Sequence, residues 1–165
     1  MVAIVGILAT LAVYGVKKYL ASSKSAEAIQ MIGSIKAAQE SYRSETFNYL
    51  DVSGAHALSG LSTFYPTSSP SPQGVQWGVT STAQGAAWQT LGITASAPVR
   101  FTYGCAAGTT ENVAAPGMTV ANWPATLTQP WYVVRAVGDL DGDGTYSNFV
   151  SSNFAGQIFI DKEGE

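Results

Sequence analysis

The residues best suited to chemistry form an acidic loop, Gly-Asp-Leu-Asp-Gly-Asp-Gly, at positions 138–144. Its aspartates alternate as in the opening of a calcium-binding loop, where carboxylates converge on a hard cation and a glycine allows the sharp turn. Such loops end in a bidentate glutamate, and this chain has Val150 at the corresponding position. The predicted ligands are Asp139, Asp141, Asp143 and the carbonyl of Thr145.

The same loop also has the features of an ion-free hairpin turn. It contains two Asp-Gly pairs between apparent strands, and Asp-Gly is a strong hairpin signal. Repulsion between three nearby carboxylates favours a bound cation, whereas the missing glutamate favours a bare turn. Calcium is therefore a possible cofactor, with no other cofactor indicated and both interpretations open.

Catalytic chemistry has little support in the remaining residues. Cys105 is the only cysteine and His56 the only histidine, so the chain has neither an intramolecular disulfide nor enough ligands for a Cys/His zinc site. Cys105 alternates with Val99, Phe101 and Tyr103 and is predicted to be an inert, buried side chain. With no P-loop, nucleophile elbow or dinucleotide fingerprint present, we expect no catalytic residues and no enzyme activity.

Charge is sparse and unevenly distributed. Charged residues make up 12% of the chain, which argues against a disordered tail. Residues 1–50 carry five basic and three acidic side chains, whereas residues 51–165 carry three basic and eight acidic ones. The acidic body is not expected to bind nucleic acid by itself.

The elements that position these residues begin with an uncharged, proline-free run from Met1 to Val16. As a helix it would be about 24 Å long, slightly short of the roughly 30 Å hydrocarbon core of a bilayer. A signal-peptide core and a buried helix are the alternatives, but the helical pattern continues past any cleavage site and little later sequence is able to surround the run. The predicted membrane or filament-core residues are Met1, Val2, Ile4, Val5, Gly6, Ile7, Leu8, Leu11, Val13 and Tyr14.

The helical pattern then continues with a different composition. An apolar stripe recurs at three- and four-residue steps among strong helix formers, and Ile29 and Ile32 widen it. This predicts one helix from about residue 1 to about residue 45, whose second part packs on the globular domain. The stripe comprises Ala28, Met31, Ile35, Ala38 and Tyr42.

The remainder of the chain predicts a small antiparallel sheet, and so an α+β fold with an N-terminal helix region at 1–50 and a globular domain at 51–165. Ser62–Gly74 and Gly108–Pro130 are predicted loops, and a short helical turn is expected before the first of them. The predicted strands are Pro98–Ala106, Trp131–Val137, Tyr146–Ser151 and Gln157–Asp161.

These features resemble the type IV pilins and the type II secretion pseudopilins. Gly6-Ile7-Leu8-Ala9 match the Gly-Ile-Leu-Ala of that family's N-terminal helix, and Ala37–Asp51 is similar to the end of that helix. The resemblance is specific over about fifty residues and architectural beyond them. It implies a long helix packed on a small antiparallel sheet.

The resemblance also implies a function. The chain would be a structural subunit of a type IV pilus-like extracellular filament, a helical homo-oligomer with roles in surface adhesion or motility. Before assembly it would be anchored in the inner membrane and handled by the pilus assembly machinery, and afterwards it would lie at the cell surface. The alternatives are a type II secretion pseudopilin or a minor, calcium-dependent, membrane-tethered adhesin. For the adhesin, Trp77, Trp88 and Trp123 are candidate contacts with glycans, although tryptophans this numerous more often fill a small core.

The sequence departs from the family pattern in two ways. The family's methylated first residue and early glutamate are missing, and alignment on Gly6 leads us to expect about eight further residues upstream. Tyr14 stands where pilins often have a helix-kinking proline. We therefore expect Lys17, Lys18 and Glu27 to take part in registering one subunit against the next.

Overall fold

The computed structural model describes residues 2–78, 82–112, 118, 120 and 123–164, and it opens on a long helix, α1, at Val2–Thr46. At 1.5 Å per residue, α1 is about 68 Å long. It ends where Phe47 adopts a φ of 63°, with the Phe47 N–H donating to the Arg43 carbonyl at 2.8 Å. The single helix predicted from the sequence is confirmed, while Met1 lies outside the described residues.

The main sheet has four antiparallel strands in the order β1-β4-β5-β6. All four predicted strands are present, with ends shifted by a few residues. They are β1 at Phe101–Gly108, β4 at Trp131–Gly138, β5 at Ser147–Ser152 and β6 at Phe159–Asp161. The α+β fold, with a helix packed on a small antiparallel sheet, follows from this arrangement.

One face of the sheet packs against the second half of α1. Alternate residues of each strand point to this face, so that Phe101, Tyr103 and Cys105 of β1 lie in one core cluster with the helix stripe. Ala28, Ile32 and Ile35 are fully buried in that cluster, and Met31, Ala38 and Tyr42 pack at its edge. The predicted stripe is confirmed except at Ile29, which is 41% exposed because it lies at the solvent edge of the helix.

Polar side chains also attach the second half of α1 to the sheet domain. Each lies at the edge of the buried stripe and reaches a backbone or hydroxyl group, which satisfies polar atoms that the packing shields from water. The contacts join Lys24 Nζ to the Leu140 carbonyl at 2.7 Å, Tyr103 OH to Glu27 Oε1 at 3.2 Å, and Lys36 Nζ to Ser151 Oγ at 3.0 Å.

The other face of the sheet is covered by irregular segments. A 3-10 helix at Leu58–Ser62 provides the expected helical turn, and its Leu61 packs with Trp131 and Val150. The predicted loop Gly108–Pro130 instead contains a two-stranded ladder, β2 at Glu111–Asn112 with β3 at Thr126–Leu127, and Leu127 is buried on the sheet. Much of the rest of that loop lies outside the described residues.

A second helix, α2 at Ala83–Thr90, was not predicted. Its start carries a local signal, because Thr82 precedes an alanine-rich run and its side chain accepts the Gly85 N–H at 3.1 Å. Trp88 of α2 is buried, and so is Tyr65 from the predicted Ser62–Gly74 loop. Tyr65 forms a β-bridge with Tyr103, so that loop is not exposed throughout.

Candidate assembly surface and acidic loop

The first half of α1, up to residue 23, carries at residues 3–16 an apolar surface that no residue described by the structure covers. All of its side chains from 3 to 16 are exposed, and the large apolar ones range from 58% exposed at Val16 to 69% at Tyr14. At about 100° per residue these side chains point in every direction around the helix axis. They are Ile4, Val5, Ile7, Leu8, Leu11, Val13, Tyr14 and Val16.

This surface contains those of the predicted filament-core residues whose side chains the structure describes, from Ile4 to Tyr14. Met1 lies outside the described residues, and Val2 is helical but its side chain is not described. Gly6 faces open space, since a Cβ placed there would meet nothing within 4 Å. A contiguous apolar surface of this kind marks an interaction site, because soluble monomers rarely expose one.

The apolar surface of α1 covers residues 3–16, about 21 Å of helix, whereas the hydrocarbon core of a bilayer is roughly 30 Å thick. Within the part of the chain that the structure describes, no helix has a stretch both long enough and apolar enough to cross a bilayer.

The acidic loop connects β4 to β5, and its three aspartates converge as the sequence predicts. One carboxylate oxygen from each of Asp139, Asp141 and Asp143 lies within 4.8 Å of the others, with Asp139 buried and the other two exposed. Lys24 of α1 donates to the carbonyl of Leu140 in this loop. The loop therefore lies beside the point where α1 leaves the globular domain.

Each aspartate of the loop also accepts a backbone N–H. Asp139 Oδ1 accepts from Gly142 at 2.7 Å, and Asp143 Oδ1 accepts from Thr145 at 2.6 Å. The Thr145 N–H lowers the pKa of Asp143 because it stabilises the charged carboxylate. Asp141 Oδ1 in turn accepts from the Asp143 N–H at 3.2 Å. The geometry thus brings the three predicted carboxylate ligands together, and it also forms a self-supporting turn.

Cys105 and His56 occupy separate environments. Cys105 is fully buried, where Gln39 Nε2 donates to its sulfur at 3.2 Å and burial raises the pKa of the thiol to about 12. This confirms the prediction of a buried packing residue. His56 is exposed, with its Nδ1 3.7 Å from a carboxylate oxygen of Asp51.

The candidate glycan contacts differ in accessibility. Trp88 is 1% exposed, and the half-buried Trp77 packs against it and against Tyr65 at the edge of the core, so the rings of both are engaged within the domain. Trp123 is half-buried beside Phe154 and lines a cavity on the domain surface. No local sequence pattern indicates this cavity, because its lining residues come from separate segments.

Glu27, expected to help register neighbouring subunits, is engaged within its own chain. One carboxylate oxygen, Oε1, accepts both the Arg100 N–H at 2.9 Å and the Tyr103 hydroxyl. Lys17 and Lys18 lie in α1, but their side chains are not among those described. The structure therefore assigns Glu27 a role in holding the helix to the sheet.

Comparison of the chain with protein-family models, with curated proteins and with solved structures finds no match.

Proposed function

We propose that this protein is a structural subunit of a type IV pilus-like extracellular filament, in which the apolar halves of α1 from many copies pack together as the core. One observation carries the proposal: the side chains of residues 3–16 are exposed on every side of the helix, and most are large and apolar. A helix with this surface needs partners around its whole circumference, which a bundle of identical helices supplies.

The free energy available from such packing is substantial. Fully burying a Val, Leu or Ile side chain contributes roughly 1.5–3 kcal/mol, so covering this surface favours assembly by on the order of 10 kcal/mol per copy before the entropic cost of association. Subunits related by a rotation and a translation that do not close on themselves form an open helical polymer. The apolar half of α1 thus provides a driving force for a filament.

Charge and attachment support the same arrangement. The helix region 1–50 has more basic than acidic residues and the body 51–165 has the reverse, so the helix of one copy and the body of a neighbour attract each other. The second half of α1 is bound to the sheet through Lys24, Glu27 and Lys36. Each body is therefore held rigidly on the outside of the proposed core. Before assembly, the proposal places the apolar half of α1 in the inner membrane.

The test is assembly of the purified full-length chain after detergent removal, followed by electron microscopy. The matched variants are Leu8→Asp, on the apolar half of α1, and Ala37→Asp, at an exposed position on the packed half. We expect filaments from the wild type and from Ala37→Asp. We expect none from Leu8→Asp, because assembly would bury an unpaired carboxylate in every subunit.

Both variants should retain the wild-type melting temperature, since neither side chain contacts the core. A wild-type chain that stays monomeric without detergent, or Leu8→Asp filaments of normal yield, would contradict the proposal.

A further inference from the structure

A second surface feature, independent of the helix, is a cavity of about 340 Å³ beside the connection between β5 and β6. Its walls include Trp123 and Phe154, whose rings lie 5.0 Å apart at an angle of 79°. In an edge-to-face pair, the ring that contributes its edge keeps both of its own faces free of its partner. The cavity is also lined by Val120, Gly156, Gln157 and Phe159.

The cavity lies on the side of the sheet that faces away from α1. Phe159 of β6 is paired with Val150 of β5, so both side chains point to the same face. Val150 belongs to the cluster with Trp131, whereas its neighbour Phe149 belongs to the core shared with α1. A filament whose core is formed by α1 would leave this cavity facing outward.

The lining indicates the chemical class of the ligand. None of the described residues that line the cavity is charged. Lys36 of α1 reaches the wall of the cavity, but its ammonium is already bonded to the carbonyl of Ala155 at 3.5 Å and to Ser151 Oγ at 3.0 Å. The lining itself therefore supplies no counter-charge for a phosphate, a carboxylate or an ammonium group. It combines aromatic rings with the amide of Gln157, an exposed side chain that both donates and accepts hydrogen bonds. Its volume lies at the lower end of the range for small-molecule sites.

We propose that this cavity is a binding subsite for a neutral saccharide residue. A pyranose ring has one face of C–H groups, whose partial positive charge is attracted to the negative face of an aromatic ring such as Trp123. Its hydroxyl groups match the amide of Gln157 and the backbone at Gly156. Apolar ligands would gain nothing from the amide of Gln157, and charged ligands would find no counter-charge among the lining residues.

The experiment is saturation-transfer-difference NMR on the full-length protein in phosphocholine micelles, which contain no sugar. The probes are maltose, cellobiose, lactose and chitobiose, with sialyllactose as the charged comparison. We expect transfer to the ring C–H protons of at least one neutral disaccharide, and weaker transfer to sialyllactose. Trp123→Ala should weaken binding about tenfold or more, since the ring supplies the main apolar contact.

Two further variants separate binding from folding. Gln157→Ala removes an exposed side chain and should also weaken binding several-fold while leaving the melting temperature unchanged. Tyr146→Ala removes an aromatic side chain that is 42% exposed elsewhere on the domain and should leave binding intact. Transfer to none of the four disaccharides would overturn the proposal, and so would equal transfer in wild type, Trp123→Ala and Gln157→Ala. Trp123 and Gln157 lie away from residues 3–16 of α1, so both variants should still form filaments. A negative binding result would therefore leave the assembly proposal standing.

Discussion

The two halves of α1 share one continuous helix but differ in what surrounds them. From residue 3 to 16 every side chain is exposed, although most are apolar. From Lys24 onward one face is buried, with Ala28, Ile32 and Ile35 at 0% exposure. No proline interrupts the helix in either half, and tertiary packing covers only the second.

The difference shows that one helix can pack on its own domain along one part and leave another part exposed for contacts with other molecules. A helix that packs on one sheet needs an apolar stripe and a polar opposite face, which is the pattern of the second half. A helix that is apolar on all sides cannot be covered by one flat sheet, and in the proposed filament other copies of the chain cover the first half. Substitutions in the two halves should therefore have opposite consequences.

The largest expected contrast is between Ile35→Ala and Leu8→Ala. Ile35 is fully buried against the sheet, so its truncation leaves a cavity and should lower the free energy of unfolding by about 2–5 kcal/mol. Leu8 is 60% exposed, and its truncation should change that free energy by less than about 0.5 kcal/mol. Urea unfolding in micelles, followed by tryptophan fluorescence, measures both values.

Filament yield provides the complementary measurement. Leu8→Ala should reduce the yield of filaments more than Ile35→Ala does at a temperature where both bodies are folded. Equal destabilisation of the body by the two substitutions would show that the first half of α1 also packs on its own domain.

The next contrast concerns two glutamines of the packed half. The Gln39 side chain is buried, accepting the Leu50 N–H at 2.9 Å and donating to the Leu50 carbonyl at 2.7 Å. Gln39→Leu leaves both backbone groups without these partners and should cost about 1–3 kcal/mol of stability. Gln30→Leu, at an exposed position, serves as the control. Urea unfolding of both variants is the measurement, and a Gln39→Leu midpoint at the wild-type value would argue against the Leu50 contacts.

The helix and the four main strands were predictable because their signals are local. Residues 24–45 are rich in strong helix formers and contain no proline, and β-branched and aromatic runs bounded by Gly, Asn, Asp or Pro mark strands such as Trp131–Gly138. The helix face was also predictable, with Ile29 as the exception at its solvent edge. Periodicity identifies the direction of a buried stripe more reliably than its width.

The remaining features depend on contacts between distant segments. The burial of Tyr65 requires its bridge to Tyr103, and the sequence around it reads only as a Ser/Pro-rich loop. The cavity beside Trp123 joins that residue to the β5–β6 connection, which no local pattern reveals. Helix α2 did carry a signal, the Thr82 cap, but its short length makes it easy to miss.

The rate of thiol alkylation should distinguish the core beneath the second half of α1, where Cys105 of β1 is buried, from the exposed first half, and this effect is smaller. Burial holds the pKa of Cys105 at about 12, so alkylation of the folded protein by iodoacetamide should be negligible at pH 9. The double variant Ala9→Cys, Cys105→Ser places the only thiol on the apolar half, where its pKa should stay at about 8.5 and alkylation at pH 9 should be fast. In filaments this thiol should be protected from alkylation. Rapid alkylation of native Cys105 would contradict its burial.

The same pKa shift predicts an alkaline loss of stability. Between about pH 9, where the thiol ionises in the unfolded chain, and about pH 12, where it ionises in the folded one, the folded state binds more protons. The contribution of the Cys105 thiol to the free energy of unfolding is therefore fully present below about pH 9 and falls as the pH rises toward 12. Melting temperatures from pH 8 to 11 should decline less steeply in Cys105→Ser, and an equal slope would assign the decline to other groups.

The smallest expected effect concerns the acidic loop beside Lys24, at the boundary between the two halves. Because Asp139, Asp141 and Asp143 each accept a backbone N–H, the loop keeps its turn without an ion. We therefore expect the melting temperature in millimolar calcium to equal that in chelator. A rise with calcium in the wild type that is lost in Asp141→Asn would instead show that the converging carboxylates bind the cation, because Asp141 is exposed and its substitution leaves the core intact. That result would make the junction between the packed and the free halves of α1 dependent on calcium.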